Sequence, residues 1–257
     1  IEFVEPCEIS FSDEKLYVLD KGASKVVIFS SNGDYIESFG KYGSQDGELI
    51  SPSDLYVYND KIYITDTGNS RISVFDLKGK FLSKFGSFGF KDGQFYLVKG
   101  IGVFSNKIYV SDLGNSRIQI FDLEGNFLGK FGKKGSEIGS FYGPSGLYVD
   151  LSGKVYVADT LNNRIQIVDT LTNKSNVYGS FGSIFNIESN IAKGEADFDY
   201  SLLPGSFLFP SDVTCFRNYL VVVDTYNLRV QLIPFSLVFG NDILRITPSY
   251  LDFGSIS

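Results

Sequence analysis

Short runs in which apolar and polar residues alternate recur along the whole chain, and residues 144–178 show one full unit. "GLYVD", "KVYVAD" and "NRIQIVD" each alternate, and each is closed by turn residues: "LSGK" at 151–154, "TLNN" at 160–163 and "TLTN" at 170–173. A period of two marks strands with one face in a core and the other outside it. Gly, Asn and Ser between such runs mark tight turns. A closing segment ending in a Phe-Gly step adds a fourth strand. In the preceding units "LKGK" and "LEGN" fill the third turn. The pattern predicts four short antiparallel strands per unit.

The unit repeats in register. "DTGNSRI" at Asp66 returns as "DLGNSRI" at Asp112, "DTLNNRI" at Asp159 and "DTYNLRV" at Asp224, and in worn form as "DKGASKV" at Asp20. The acids at 20, 66, 112 and 159 are spaced 46, 46 and 47, and the fifth lies 65 further on. A base follows each acid by five residues: Lys25, Arg71, Arg117, Arg164 and Arg229. Pro6, Pro52, Val98, Pro144 and Pro210 occupy a second common slot, and Phe-Gly steps at Gly40, Gly86, Gly132 and Gly182 close the first four copies. The fourth interval carries about 20 extra residues, placed at 183–204. Four-stranded units repeating at 40 to 50 residues are the mark of β-propeller blades.

These motifs resemble the NHL repeat family: an apolar-Tyr-Val-x-Asp strand end, an Asn-x-Arg-Ile turn and a Phe-Gly close. The resemblance covers roughly residues 3 to 240 and implies an all-β propeller, usually six-bladed. Five repeats are visible. A six-blade design with one blade missing or degenerate is expected, with a closed five-bladed ring as the alternative. The first copy departs at Lys25 and Ala23-Ser24, and the fifth after its third strand, where "QLIPFSLVFG" lacks the usual hairpin. The propeller is expected over 1–243 and a tail over 244–257. In the tail, "PSYLDFG" resembles the opening strand of an immunoglobulin-like module of the ASPM/SPD-2/hydin type. The other reading of the tail is a strand donated to a neighbouring subunit.

Composition narrows the chemistry. The chain has no His, Trp or Met, a net charge of −7 and a pI near 4.7. Without His, a Ser-His-Asp triad, a Cys-His pair and a His-ligated zinc have no base or ligand. The acidic balance argues against a nucleic-acid partner, which needs a basic face. No apolar run approaches the roughly 18 residues of a membrane span. Without Met, residue 1 is not a translation start, so an upstream segment is expected. Export to an extracellular or periplasmic location is expected with it. Cys7 and Cys215 form no CxxC, and both a disulfide and two free thiols remain open.

The acid–base pairs first look like chemistry. A catalytic pair is needed once, however, and Asp20–Lys25, Asp66–Arg71, Asp112–Arg117, Asp159–Arg164 and Asp224–Arg229 occur five times at one spacing. That argues for a strut joining strands. Asn69, Asn115, Asn163 and Asn227 suit the turn because Asn tolerates a left-handed backbone. The candidate partner contacts fall where the repeat breaks: Glu188, Glu195, Asp197, Phe198, Asp199 and Tyr200 in the insertion, and Tyr250, Leu251 and Phe253 in the tail. Tyr42, Phe88, Phe90 and Tyr142 in inter-blade loops are further candidates. Asn173 heads a glycosylation sequon.

Two functions compete. One is a non-catalytic scaffold that binds a protein or polymer, or self-assembles, with no cofactor. The other is a propeller enzyme of the lactonase, lyase or hydrolase kind, with an all-oxygen calcium site in the channel formed by Asp54, Asp150 and Asp212.

Overall fold

The computed structural model describes residues 2–172, 174–181 and 205–239. Each alternating run pairs antiparallel with the next, so every repeat becomes a meander sheet, and these sheets are the blades of a β-propeller. Blade 1 is β1–β4, at Pro6–Ser12, Lys15–Asp20, Lys25–Ser30 and Tyr35–Phe39. Blade 2 is β5–β8, at Asp54–Tyr58, Lys61–Asp66, Arg71–Asp76 and Phe81–Phe85. Blade 3 is β9–β12, at Val98–Phe104, Lys107–Asp112, Arg117–Asp122 and Phe127–Phe131. Blade 4 is β13–β16, at Pro144–Val149, Lys154–Asp159, Arg164–Asp169 and Lys174–Tyr178. Blade 5 has three strands, β19–β21, at Pro210–Phe216, Tyr219–Asp224 and Arg229–Pro234. The helix α1 (Phe235–Phe239) follows where the other blades have a fourth strand. Among the described residues no helix is long and apolar enough to cross a membrane.

The ends of the insertion meet. β17 (Ser180–Phe181) pairs in parallel with β18 (Ser206–Phe207), so the segment leaves and re-enters the ring at one point. The insertion contacts expected from sequence, Glu188 to Tyr200, lie outside the described residues, as do Asn173 and the tail residues Tyr250, Leu251 and Phe253.

The core lies between blades. Tyr17, Leu19 and Ile28 of blade 1 pack on Leu55, Ile64 and Phe75 of blade 2. Tyr63, Ile72 and Val74 of blade 2 pack on Ile101, Val103 and Phe121 of blade 3. Two further clusters join blade 3 to blade 4 and blade 4 to blade 5. Each large apolar side chain so buried contributes about 1.5–3 kcal/mol. The inner strands pack in the order β1, β5, β9, β13, β19, and the order stops there. Among the described residues β19 and β1 do not pack as the other neighbouring inner strands do, although Glu8 of β1 and Asp212 of β19 line one pocket.

The aromatic-Gly step works by close approach. Gly40, Gly86 and Gly132 adopt φ of +91°, +90° and +88°, and the fourth copy is Gly179 at +86° rather than Gly182, which is outside the described residues. A Cβ on Gly86, Gly132 or Gly179 would run into the ring of Phe95, Phe141 or Phe207. The left-handed geometry lets the chain turn back over that ring.

The repeated acids are struts, and all five are fully buried. In blade 3, Asp112 Oδ1 accepts from Tyr96 N (2.8 Å), while Oδ2 accepts from Asn115 Nδ2 (2.8 Å), Arg117 Nε (2.8 Å) and Gln119 Nε2 (3.1 Å). Arg117 then donates to the carbonyls of Lys91 and Gln94 in the preceding loop. Asp66, Asp159 and Asp224 repeat the arrangement through Arg71, Arg164 and Arg229. Blade 1 differs: Asp20 accepts from the amides of Val4, Glu5 and Ala23, and Lys25 forms no ion pair with it. The role of the turn Asn also differs from its sequence reading. The left-handed residues of this turn are Ser24, Ser70, Ser116, Asn163 and Leu228, and in blades 2 to 5 each comes one position after the Asn that bonds the strut acid. That Asn is Asn69, Asn115, Asn162 or Asn227, so in blade 4 it is Asn162 rather than Asn163.

Replacing Asp66→Asn leaves the Arg71 guanidinium buried without its counter-charge and should cost about 3 kcal/mol in urea unfolding. Asp20→Asn, which loses only amide partners, should cost about 1 kcal/mol. Equal losses at the two sites would show that the guanidinium adds nothing to the strut.

Candidate functional site

The inner strands begin where the inter-blade loops end, and their first residues fall in two repeated slots. One position after the Pro slot come Cys7, Ser53, Lys99, Ser145 and Ser211; the next position holds Glu8, Asp54, Gly100, Gly146 and Asp212. Together with Thr160 these residues line an open pocket of about 290 Å³ at the channel mouth. The first slot locks blade to blade. Cys7 Sγ lies 3.9 Å from the Ser53 carbonyl, Ser53 Oγ donates to Lys99 O (3.0 Å), and Ser145 Oγ donates to Ser211 O (2.6 Å).

The second slot sets the charge. Blades 5, 1 and 2 bring Asp212, Glu8 and Asp54 to one side, while blades 3 and 4 bring only glycines. These glycines are sterically required: a Cβ on Gly100 would stand 2.6 Å from the Ser145 carbonyl, and one on Gly146 would collide with Asp212 Oδ1. Burial, followed by the charge of Asp212, pushes the Glu8 carboxyl up to about 7. Burial pushes Asp212 up to about 6. Burial, with the charges of Glu8 and Asp212, holds Asp54 well above the usual carboxylate range. Burial and then the charge of Lys21 lower the Lys99 ammonium. The Cys7 thiol is pushed up to about 11, mainly by burial, so it stays protonated near neutrality and is a poor nucleophile. Cys7 and Cys215 are both free thiols.

Of the three channel acids expected from sequence, Asp54 and Asp212 meet in the pocket and Asp150 does not. Asp150 closes the turn from β13 to β14, accepting from Ser152 N, Lys154 N and the Tyr156 hydroxyl. It ends the strand whose other end carries Gly146, so it faces away from the mouth. Glu8 takes its place beside Asp54 and Asp212. The signal for Glu8 was the repeat register itself, two residues after Pro6. Among the described residues no three His, Cys, Asp or Glu side chains are placed to share one metal ion.

The loops around the mouth carry aromatic side chains. Tyr42, Phe88 and Lys134 share one slot and bridge to Leu49, Phe95 and Phe141. Phe88 is 61% and Phe90 69% exposed, yet with Tyr96 they form a triad of edge-to-face rings with centroids 5.8 to 6.0 Å apart. Lys134 Nζ stands 5.0 Å over the ring of Tyr142. The strut of blade 3 fixes this triad, because Asp112 holds the amide of Tyr96 and Arg117 holds Lys91 and Gln94.

Residues 1–85 match the DUF5128 family, described as a 6-bladed beta-propeller, and residues 141–168 match the NHL repeat. No curated protein matches the chain in sequence. Solved structures share its fold at low identity. A streptogramin B lyase is 17% identical over 91% of this chain and 84% of that one, with a TM-score of 0.57. A chain of a nidogen/laminin complex is 16% identical over 90% and 76%, with a TM-score of 0.63. A catalytically inactive virginiamycin B lyase from Staphylococcus aureus with quinupristin is 15% identical over 91% and 85%, with a TM-score of 0.55.

The raised carboxyls make stability depend on pH. A carboxyl that holds its proton to higher pH in the folded chain leaves stability intact below the ordinary carboxylate range. Its contribution is lost as pH rises from there through about 7 for Glu8, and the loss is complete above that. Glu8→Gln should therefore match the parent at pH 4 and exceed it by about 1 kcal/mol at pH 8 in urea unfolding. An equal difference at both pH values would mean that Glu8 does not titrate in this way.

Proposed function

We propose that this NHL-repeat β-propeller is a non-catalytic binding module, placed outside the cytoplasm, that takes a protein partner on the face carrying the channel mouth. Propellers of this shape occur in a streptogramin B lyase and in a nidogen/laminin complex, so the fold does not choose between catalysis and binding. The side chains favour binding. The observation that carries the reading is the exposed triad of Phe88, Phe90 and Tyr96 on a loop pinned by a buried strut. Aromatic anchors held in place before binding supply apolar contact at little cost in ordering. The acid–base pairs that might have supplied chemistry are buried and consumed in holding these loops.

The second reading, a channel enzyme with an oxygen-ligated calcium ion, draws on Glu8, Asp54 and Asp212 lining one pocket. Calorimetry with calcium chloride separates the two. The binding-module reading expects no saturable heat at millimolar calcium. Tight binding that Asp54→Asn abolishes would replace it with the enzyme reading. The double change Phe88→Ala, Phe90→Ala should lower recovery of captured partner proteins by at least about tenfold. It should leave the unfolding midpoint close to that of the parent. Undiminished capture would remove the aromatic rim from the proposal.

A further inference from the structure

Charge is unevenly spread over the face that carries the channel mouth. The loop entering blade 2 is neutralised locally: Lys41 pairs with Glu48 (3.2 Å) and Lys84 with Asp46 (2.6 Å). In blade 1, Lys21 pairs with Glu5 (2.7 Å). The loops entering blades 3 and 4, at 87–97 and 133–143, are different. Lys91, Lys133 and Lys134 lie in them and Lys99 just beyond the first, and none of the four forms an ion pair among the described residues. The only acids of these loops are Asp92 and Glu137. Asp92 is already held by Arg117 and Lys130, so Glu137 alone opposes the four ammoniums. In a chain of net charge −7 this is a local positive field.

An apolar strip joins the same two loops. The ring of Tyr96, which closes the aromatic triad, lies on Gly114, where a Cβ would not fit. Gly114 belongs to the turn Leu113–Asn115, and Leu113 and Leu161 both stand against Gly143 in the next loop. Tyr142 precedes Gly143 and is capped by Lys134. Leu97 adds a side chain presented under strain. It is 43% exposed with φ of +59°, in the slot where the next repeat has Gly143 at +64°. A leucine is disfavoured in that left-handed region and persists there only when its surroundings impose it. The peptide before it is held at both ends: Tyr96 N donates to Asp112 Oδ1, and Tyr96 O accepts from Gly114 N.

Lysines beside aromatic rings are also what single-stranded nucleic acid uses, but there the bases stack on open ring faces. Phe88, Phe90 and Tyr96 instead turn edges to one another's faces, at interplanar angles of 70°, 87° and 62°. Lys134 covers the ring of Tyr142. The arginines of these two blades, Arg117 and Arg164, spend their guanidiniums on the struts and loop carbonyls, so neither offers a fork to a phosphate. Isolated ammoniums spaced along an apolar strip match scattered carboxylates better than a phosphate at every step.

We infer that the strip from Phe88 to Tyr142 takes an acidic segment of a protein partner, its apolar side chains on the rings and leucines and its carboxylates at Lys91, Lys99, Lys133 and Lys134. This rests on the reading of the mouth face as a binding surface and adds the partner's chemistry to it. The apolar contacts supply most of the affinity. The lysines speed encounter and reject a basic or neutral competitor. Lys99 has a particular place among them, because it is half-buried at the rim of the channel pocket without a counter-ion. A carboxylate that reaches it gains a charge-assisted hydrogen bond in a partly dry setting.

Selection from a random peptide library displayed on phage tests the chemistry. Peptides retained by the parent chain should combine net negative charge with Leu, Phe, Tyr or Trp. Synthesised and followed by fluorescence anisotropy, they should bind the triple variant Lys91→Glu, Lys133→Glu, Lys134→Glu at least about tenfold more weakly than the parent. The triple variant Lys78→Glu, Lys80→Glu, Lys107→Glu changes net charge equally at the opposite end of the blades and should bind like the parent. Gln at the three mouth positions should give a smaller loss, and it carries the test if the reversed chain does not keep the parent's unfolding midpoint. Peptides without acidic bias, or equal losses at the two ends of the blades, would overturn this inference and leave the aromatic rim standing. Binding that Phe88→Ala, Phe90→Ala leaves intact would sink the rim reading and this inference with it. A library that returns no binder would overturn it too, as would a short oligouridine bound more tightly than the selected peptides.

Discussion

The fold rests on a buried carboxylate repeated around the ring. Each strut acid sits at the end of a blade's second strand and accepts from the segment that leads into that blade. In blades 2 to 5 it also neutralises a guanidinium that itself holds the carbonyls of that segment. Removing such a charge from water is expensive, so it is tolerated only where every lone pair has a donor. The full set of donors forms only when turn, loop and third strand are all in place. The strut therefore ties the local hairpin to the inter-blade connection, and that connection orders the blades.

Two surfaces follow from this joint. The loops it pins carry the aromatic rim, with rings held in position before anything binds. The strands that leave those loops deliver their first two residues into the channel. In the first slot hydroxyl-bearing residues lock one inner strand to the next. In the second, acids on three blades face glycines on two. The pocket exists because Gly100 and Gly146 have no side chains, and burial of its carboxyls keeps their protons to higher pH than usual.

Much of this was legible in the chain. The strand period, the spacing of the acids and the turn residues predict a propeller, and the fivefold recurrence of acid and base marks them as structural. Asp54 and Asp212 were expected as channel residues, and both line the pocket. Glu8 shares their slot and was overlooked, because the first repeat is worn elsewhere. Asp150 was misplaced because it sits at the far end of its strand, where its partners are the turn amides and Tyr156. The shift from Asn163 to Asn162, and from Gly182 to Gly179, has a common cause. Near-identical neighbours, Asn-Asn and Tyr-Gly-Ser-Phe-Gly, permit a register error that only hydrogen-bond geometry resolves.

Local chemistry, then, determined the strands, the turns and the blade, because alternation and turn propensity act within a few residues and are repeated five times over. Tertiary structure alone decided which acids share a wall and which glycines make room for them. Those outcomes depend on residues 46 or more positions apart that meet only when the blades stand side by side.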